Sequence, residues 1–361
     1  MTSGLDGLVA AETVLSEVDG ANGRLIIRGA PLERLANVIT FPEMVHRLFA
    51  GFFDPLPEPV ELASRLGEAR AEAFQMFAAD RALLALPPLD AVRALTARVP
   101  DGDGLDTALR LLAATAAFLP AVLRLQAGQS PIAPDPSMDH ARDILRMTGK
   151  AATDREVRAL DTYLVTVAEH GLNASTFAAR VVASTRAGLT SAVLAGMSAL
   201  KGPLHGGAPG PVIEMLDAIP SAAQATEWLE AALDRGERLM GFGHRIYRVR
   251  DPRADALKAA VRALSRDGGG HGGRLAFAER IESAALDALR RRKPNRPLET
   301  NVEFYTALLL EALGFPPSAF TGVFAIGRAA GWIAHAREQT LSGRLIRPQS
   351  RYIGPRPPLA A

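Results

Sequence analysis

Apolar positions recur at helical spacing along most of the chain. Between Thr153 and Gly171, residues Leu160, Leu164 and Val167 stand at i, i+4 and i+7, one face of an amphipathic helix. Thr153-Asp154-Arg155-Glu156 reads as a capping box that opens it, and Gly171 marks its end. A further helix is predicted from Pro220-Ser221 to Gly236. The most apolar run, Leu111 to Leu123, lies between Arg110 and Arg124 and contains Pro120. It is too short to span a bilayer and reads as a buried helix. Against this background, Gly23 to Gly29 (GRLIIRG) is a short β-like patch bounded by glycines. No hydrophobic strand series follows it, so the expected class is mainly α. Pro131 to Pro136, Asp267 to Gly273 and the tail after Pro355 read as loops, with His271 solvated at a loop tip.

Composition narrows the class further. The 361 residues are 48% apolar and 22% charged, enough to bury one large core or two ordinary ones. Glycine and proline are scattered, with no low-complexity tract or fixed-period repeat. No cysteine is present, which excludes disulfides, thiolate metal sites and cysteine nucleophiles and suits a reducing cytoplasm. The first twenty residues lack a basic region followed by an apolar core, so no signal peptide is read. Net charge is only +2. The one dense basic cluster, Arg290 to Lys293, follows the helical run IESAALDAL, where cations are ordinary partners of a helix C-terminus. Neither nucleic acid nor membrane is an expected partner.

Besides the loop-tip His271, three of the seven histidines stand beside glycine: His170 in AEHGLNAST, His205 in KGPLHGGAPG and His244 in MGFGHRIYRVRDPR. Backbone can approach a ligand closely there, although each alone reads equally well as a core histidine. No HExxH spacing supports zinc, and no metal is expected. Neither a G-x-S-x-G elbow nor a Walker A loop occurs. Gly268, Gly270 and Gly273 match G-x-G-x-x-G without a preceding strand, a chance match. Arginines form a second set: Arg253 after Asp251-Pro252, Arg328 in FAIGRAAGW and Arg347 in LIRPQS. Arg328 is flanked by apolar and small residues, a costly setting for an unpaired charge. Such guanidiniums seek carboxylates or phosphates. An internal ion pair is the plain reading of each; together with the histidines they suggest a small polyanion such as a dicarboxylate. Glu303, in NVEFY ahead of ALLLEALG, is either a helix-start charge or a desolvated base for a carbon acid.

The strings KGPLHGGAPGPVIEML, GERLMGFGHRIYRVRDPRA, NVEFYTALLLEALG and FAIGRAAGWIAHAREQ…LIRPQSRYIGP, with the opening GLDGLVAAETVLSEVDGANGRLIIRG, run in order over nearly the whole chain. In them the sequence resembles the citrate synthase family, and in length its short dimeric bacterial and archaeal form. The resemblance implies a large helical domain (1–210 and 301–361) carrying a smaller helical domain (211–300), with the active site in the cleft between them. It implies condensation of acetyl-CoA with oxaloacetate and water to citrate and CoA, by enolisation, aldol-type addition and thioester hydrolysis, as in the tricarboxylic acid cycle, with no cofactor.

Residue by residue, it implies that Glu303 takes the methyl proton, His205 donates to the enolising thioester oxygen and His244 protonates the oxaloacetate carbonyl. His170, Arg253, Arg328 and Arg347 would hold oxaloacetate, Arg347 being delivered by the C-terminal tail of the other subunit of a homodimer. Arg248 and the backbone at Gly241 and Gly243 would face CoA. One departure stands out. Most of the family carries Asp where this chain has Glu303, and the extra methylene moves the carboxylate by about 1.5 Å. A misplacement of about 1 Å costs on the order of 100-fold in rate, so either the backbone is set back to compensate, or the enzyme is slow or prefers another acyl-CoA. The rival readings are a 2-methylcitrate synthase using propionyl-CoA and a catalytically weak binding or regulatory paralogue.

Overall fold

The computed structural model describes residues 7–77, 81–206, 209–265 and 272–355. Three short strands come first, β1 (Ser16–Asp19), β2 (Arg24–Ile27) and β3 (Ala30–Pro31), in one antiparallel sheet of that order. The helices follow: α1 (Phe41–Phe49), α2 (Pro59–Gln75), α3 (Arg81–Leu84), α4 (Pro88–Thr96), α5 (Leu105–Gln126), α6 (His140–Met147), α7 (Asp154–Val167) and α8 (Ala174–Ala183). Next come α9 (Leu189–Leu200), α10 (Pro209–Ala218), α11 (Ala225–Asp234), α12 (Pro252–Ser265), α13 (Gly272–Arg292), α14 (Val302–Ala312) and α15 (Phe320–Ser342). The class is mainly α.

Two long helices organise the core. Every side chain of α5 from Leu111 to Val122 is buried, and the helix packs against α2, α4 and α15. By length and apolar content α5 could cross a membrane, but here it is largely enclosed by the fold. It also runs well beyond the apolar stretch Leu111 to Leu123, with Pro120 inside it. Helix α15 is buried continuously from Val323 to Ala336 and touches α5, α7, α8 and α9. Glycines allow that closeness. A Cβ on Gly322 would lie 2.8 Å from Leu119, one on Gly327 2.6 Å from Val167, and one on Gly331 2.3 Å from the Ala168 carbonyl.

Helix α7 opens with the expected capping box: the Glu156 carboxylate accepts from Thr153 N at 2.8 Å, and Thr153 Oγ1 accepts from Glu156 N. It stops at Val167, so Glu169 and His170 leave the helix end where α15 passes closest. At the N-terminus, the β1–β2 turn lies on the segment after His244. Arg248 N donates to Gly20 O at 2.8 Å, and a Cβ on Gly20 would sit 2.4 Å from Ile246 O.

Some boundaries differ from the sequence reading. The helix expected from Pro220 begins at Ala225, because Ser221 to Gln224 close a separate turn, with Gln224 N on Ser221 O at 3.1 Å. The β-like patch is strand β2 of a small sheet rather than an isolated segment, because β1 and β3 supply its partners. The Pro131 to Pro136 segment is irregular but tied down, with Asp135 N donating to the buried Asp143 carboxylate. Arg291 and Arg292 close ion pairs to Glu230 and Asp234 on α11, so the basic cluster joins two helices. Gly268, Gly270 and His271 and the tail past Pro355 lie outside the described residues.

Alanine in place of glycine stabilises an open helix by about 1 kcal/mol. Gly331→Ala will do the opposite, since its methyl group meets a backbone carbonyl that cannot yield. A loss of about 1–3 kcal/mol is expected in urea unfolding. An unchanged midpoint would mean that α15 stands further from α7 than described.

Candidate active site

The site is assembled at the start of α14. Asn301 caps the helix, its Oδ1 accepting from Glu303 N at 3.1 Å. Its Nδ2 donates to Gly243 O at 2.9 Å, and its own N–H to Gly241 O at 3.0 Å. Gly243 N returns a bond to Glu299 O at 2.7 Å. Gly241 and Gly243 have φ of +85° and +81°, and a Cβ on either would strike Phe304 or Leu298, so only glycine lets this segment lie flat on α14. The pairing carries His244 and Glu303 to the same end of the helix.

His244 has a defined proton. Its Nδ1 accepts from Ile246 N at 3.0 Å and Tyr247 N at 3.1 Å, so in the neutral ring the hydrogen sits on Nε2. Burial, then the adjacent Arg253 cation, brings its pKa down to about 4. Arg253 Nη2 stands 3.3 Å from that Nε2. Both atoms are then donors, converging where an oxygen would satisfy them.

Arg253 is buried and gripped by Asp251, with Nε on Oδ1 at 3.0 Å and Nη2 on Oδ2 at 2.8 Å. Burial works against the charge, but Asp251 overrides it and holds the guanidinium's pKa above its ordinary value. Arg328 lacks such a partner. It is 1% exposed, its Nε donates to Val167 O, and its Nη2 is buried with no hydrogen bond. Burial lowers its pKa to about 10. A buried cation with an open donor is a built receptor for an anion.

His170 lies beyond the end of α7, edge-on to the His244 ring with centroids 5.7 Å apart. Its Nε2 is 3.1 Å from the Tyr247 hydroxyl. Burial, with Arg253 and Arg328 nearby, holds it far below the usual histidine range. His205 Nε2 is 2.8 Å from Ser175 Oγ, which also receives Trp332 Nε1 at 3.1 Å. Burial and the same two arginines lower His205 to about 4. Glu303 completes the group. Its Oε2 is buried without a partner, and burial pushes the carboxyl up by more than Arg253 pulls it down.

Six of the sequence-derived residues, His170, His205, His244, Arg253, Arg328 and Glu303, are thus gathered in one cluster. Arg347 and Arg248 are not. Arg347 lies exposed on the segment after α15, which is held by Gln339 Nε2 on Arg344 O at 2.9 Å and by Ile346 N on Ser184 Oγ at 3.1 Å. The Arg248 side chain is exposed, with its backbone on the β1–β2 turn. Sequence reasoning passed over Asp251, Ser175, Tyr247 and Glu169. Of these only Asp251, an N-cap followed by proline at N1, had a local signal. Two surface cavities lie outside the cluster, one of about 650 Å³ beside Phe53 and Arg337 and one of about 310 Å³ beside Glu33 and Arg250. Neither concentrates comparable chemistry.

Residues 4–349 match the family model described as citrate synthase, C-terminal domain. The citrate synthase of Haloferax volcanii is 37% identical, with 97% of this chain and 95% of the relative covered. A 2-methylcitrate synthase of Mycobacterium tuberculosis is 36% identical, covering 97% and 90%. The solved ternary complex of citrate synthase from Thermoplasma acidophilum with carboxymethyl coenzyme A and oxaloacetate superposes with a TM-score of 0.86 at 27% identity, covering 100% of this chain and 98% of that one. This chain belongs to the citrate synthase family, whose members are acyltransferases.

The raised Glu303 carboxyl has a consequence for stability. The folded state holds this proton more tightly than the unfolded one, so the stabilisation is present at low pH and is lost as pH rises through the folded pKa. Glu303→Gln, which never ionises, will therefore gain on the parent as pH rises from about 5 to about 8. Thermal melts across that range check it; a gap independent of pH would place the carboxylate in water.

Proposed function

We propose that this member of the citrate synthase family is a citrate synthase, condensing acetyl-CoA with oxaloacetate and water to give citrate and CoA. The observation that carries the reading is the juxtaposition of Glu303, unpartnered and raised, with three neutral histidines and two buried guanidiniums. A carbon acid needs a base on carbon and a donor on oxygen together, because charge develops on oxygen as the proton leaves.

In this reading Glu303 takes a methyl proton from acetyl-CoA while His205 donates to the thioester oxygen. Ser175 Oγ lies 2.8 Å from both Asn173 Oδ1 and His205 Nε2, so its one hydroxyl proton serves one or the other. His205 donates from Nδ1 when the Ser175 proton turns from Asn173 Oδ1 to Nε2. The enol carbon attacks the oxaloacetate carbonyl carbon, and His244 Nε2–H protonates the resulting alkoxide. Water then cleaves the C–S bond of the citryl thioester, and CoA leaves as the thiol. Arg328, Arg253 and His170 hold the oxaloacetate carboxylates. Arg248 and the backbone at Gly241 and Gly243 form the CoA side. Residues 211–300 form the smaller domain that closes over it.

A homodimer completes the site. Arg347 has no described partner in its own chain, and it sits on a tail that exposes Leu345, Tyr352 and Ile353, apolar surface suited to a second subunit. The specific rival is propionyl-CoA as acyl donor, supported by the 36% identity to a 2-methylcitrate synthase; the longer Glu303 side chain bears on the same acyl position.

The purified protein will release CoA only with oxaloacetate and an acyl-CoA both present, and faster with acetyl-CoA than with propionyl-CoA. Having no cysteine, it leaves a thiol reagent to report CoA alone. Equal release without oxaloacetate would identify a thioesterase instead, and a propionyl-CoA preference the methylcitrate reaction.

For the shared site, Arg347→Ala and His205→Ala homodimers will each be nearly inactive. Co-refolding them gives about half mixed dimers, in which one of the two sites is intact, so about a quarter of all sites recover. No recovery, with subunit exchange shown separately, would confine Arg347 to its own chain.

A further inference from the structure

We propose that Tyr247 is a positioning residue that fixes where the two cleft histidines carry their protons, and so which nitrogen each offers to oxaloacetate. The inference rests on the citrate synthase reading for its substrate, but its geometry stands apart from it. Tyr247 reaches both rings by different groups. Its backbone N–H, with that of Ile246, occupies His244 Nδ1. Its hydroxyl lies 3.1 Å from His170 Nε2. Its ring packs beside both, with centroids 4.8 Å from His244 and 5.6 Å from His170. The Arg253 guanidinium lies over its face at 5.9 Å.

The direction of the hydroxyl bond follows from partners. No described residue other than His170 bonds the Tyr247 hydroxyl. Either direction leaves one hydrogen without a described acceptor, the phenol O–H or the His170 Nδ1–H; with the phenol donating, that hydrogen is Nδ1–H, which an oxaloacetate carboxylate would accept. The phenol proton therefore goes to Nε2. Burial holds it on the phenol against the pull of Arg253. His170, neutral, then carries its hydrogen on Nδ1, which no described residue accepts. His244, by the backbone bonds, carries its hydrogen on Nε2. The site thus presents two oriented N–H donors of opposite tautomers, beside Arg253 and the open Nη2 of Arg328.

Tyr247→Phe keeps the ring and the backbone bonds and removes the oxygen alone. His170 is then released to both tautomers, while His244 is unaffected and serves as an internal control. If the released ring spends about a fifth of its time in the competent form, KM for oxaloacetate rises about fivefold. The charged and titratable groups facing His170 are Arg253, Arg328, His244 and His205, with Tyr247. Burial and those cations remain when the phenol is gone, so His170 stays neutral in the variant. The KM defect will therefore persist unchanged as pH falls from about 7.5 to about 6. The parent KM will stay flat over that interval.

Ring-nitrogen NMR of protein labelled with 15N in histidine tests the assignment without substrate. The His170 signals are identified by their loss in His170→Gln. The expected parent spectrum has His170 protonated at Nδ1 and His244 at Nε2; in Tyr247→Phe only His170 becomes a mixture. A parent His170 protonated at Nε2 overturns the proposal. So does a Tyr247→Phe protein with unchanged His170 signals and an unchanged KM for oxaloacetate. Should the spectra agree while oxaloacetate-dependent CoA release is absent, the substrate reading fails and the tautomer assignment stands.

Discussion

One buried carboxylate, Asp251, does more to fix this site than any substrate-facing side chain. It is 1% exposed and has four bonds. Oδ1 accepts from the Arg253 backbone at 3.0 Å, capping α12, and Oδ2 from Val302 N at 3.3 Å at the first turn of α14. The same two oxygens grip the Arg253 guanidinium as a fork. Two helix N-termini, each with orphan donors and a positive dipole end, thus share one anion. Removing a partner from such a buried pair costs on the order of 3–5 kcal/mol, because the other charge stays buried. The position of Arg253 relative to His244, and of Glu303 on α14, both follow from it.

Two glutamates show how burial and partners separate structure from chemistry. Glu282 accepts from Thr300 and Tyr305 and pairs with Lys258 and Arg250. Although burial alone would raise it, those partners bring its pKa down to about 2. It joins α12, α13 and the start of α14 and stays ionised. Glu303 lies three residues past Thr300 with one oxygen unpartnered, and its carboxyl is raised. The first is satisfied and inert; the second is poised to exchange a proton.

The histidines obey the same electrostatics. Arg253 is neutralised by Asp251, whereas Arg328 is balanced only at a distance by Glu169. Glu169 is itself tied by Ser16, Gly171 N and His335. The cluster therefore carries surplus positive charge, which adds to burial, the larger cause, in keeping His170, His205 and His244 neutral and able to donate without being cations. On the proposed function, an incoming dicarboxylate would supply the missing negative charge.

Local chemistry was legible along the chain wherever one segment decides the outcome alone. The capping box at Thr153, the strand at Arg24–Ile27 and the glycine-flanked segments at 205 and 241–244 were each visible as strings. The helical class followed from spacing, and the family from motifs in order. What the string could not hold was which oxygen meets which nitrogen. Glu303 read equally as a helix-start charge or a base until α14 was set against the buried Arg253. Tyr247 looked like any aromatic until its hydroxyl came to rest on a histidine 77 positions away. Sequence determined the helices and supplied the titratable groups, because propensity, capping and glycine conformation act over a few residues. Tertiary structure decided their protonation, because desolvation and Coulomb interactions depend on through-space distance, and only packing brings α7, α12, α14 and α15 together.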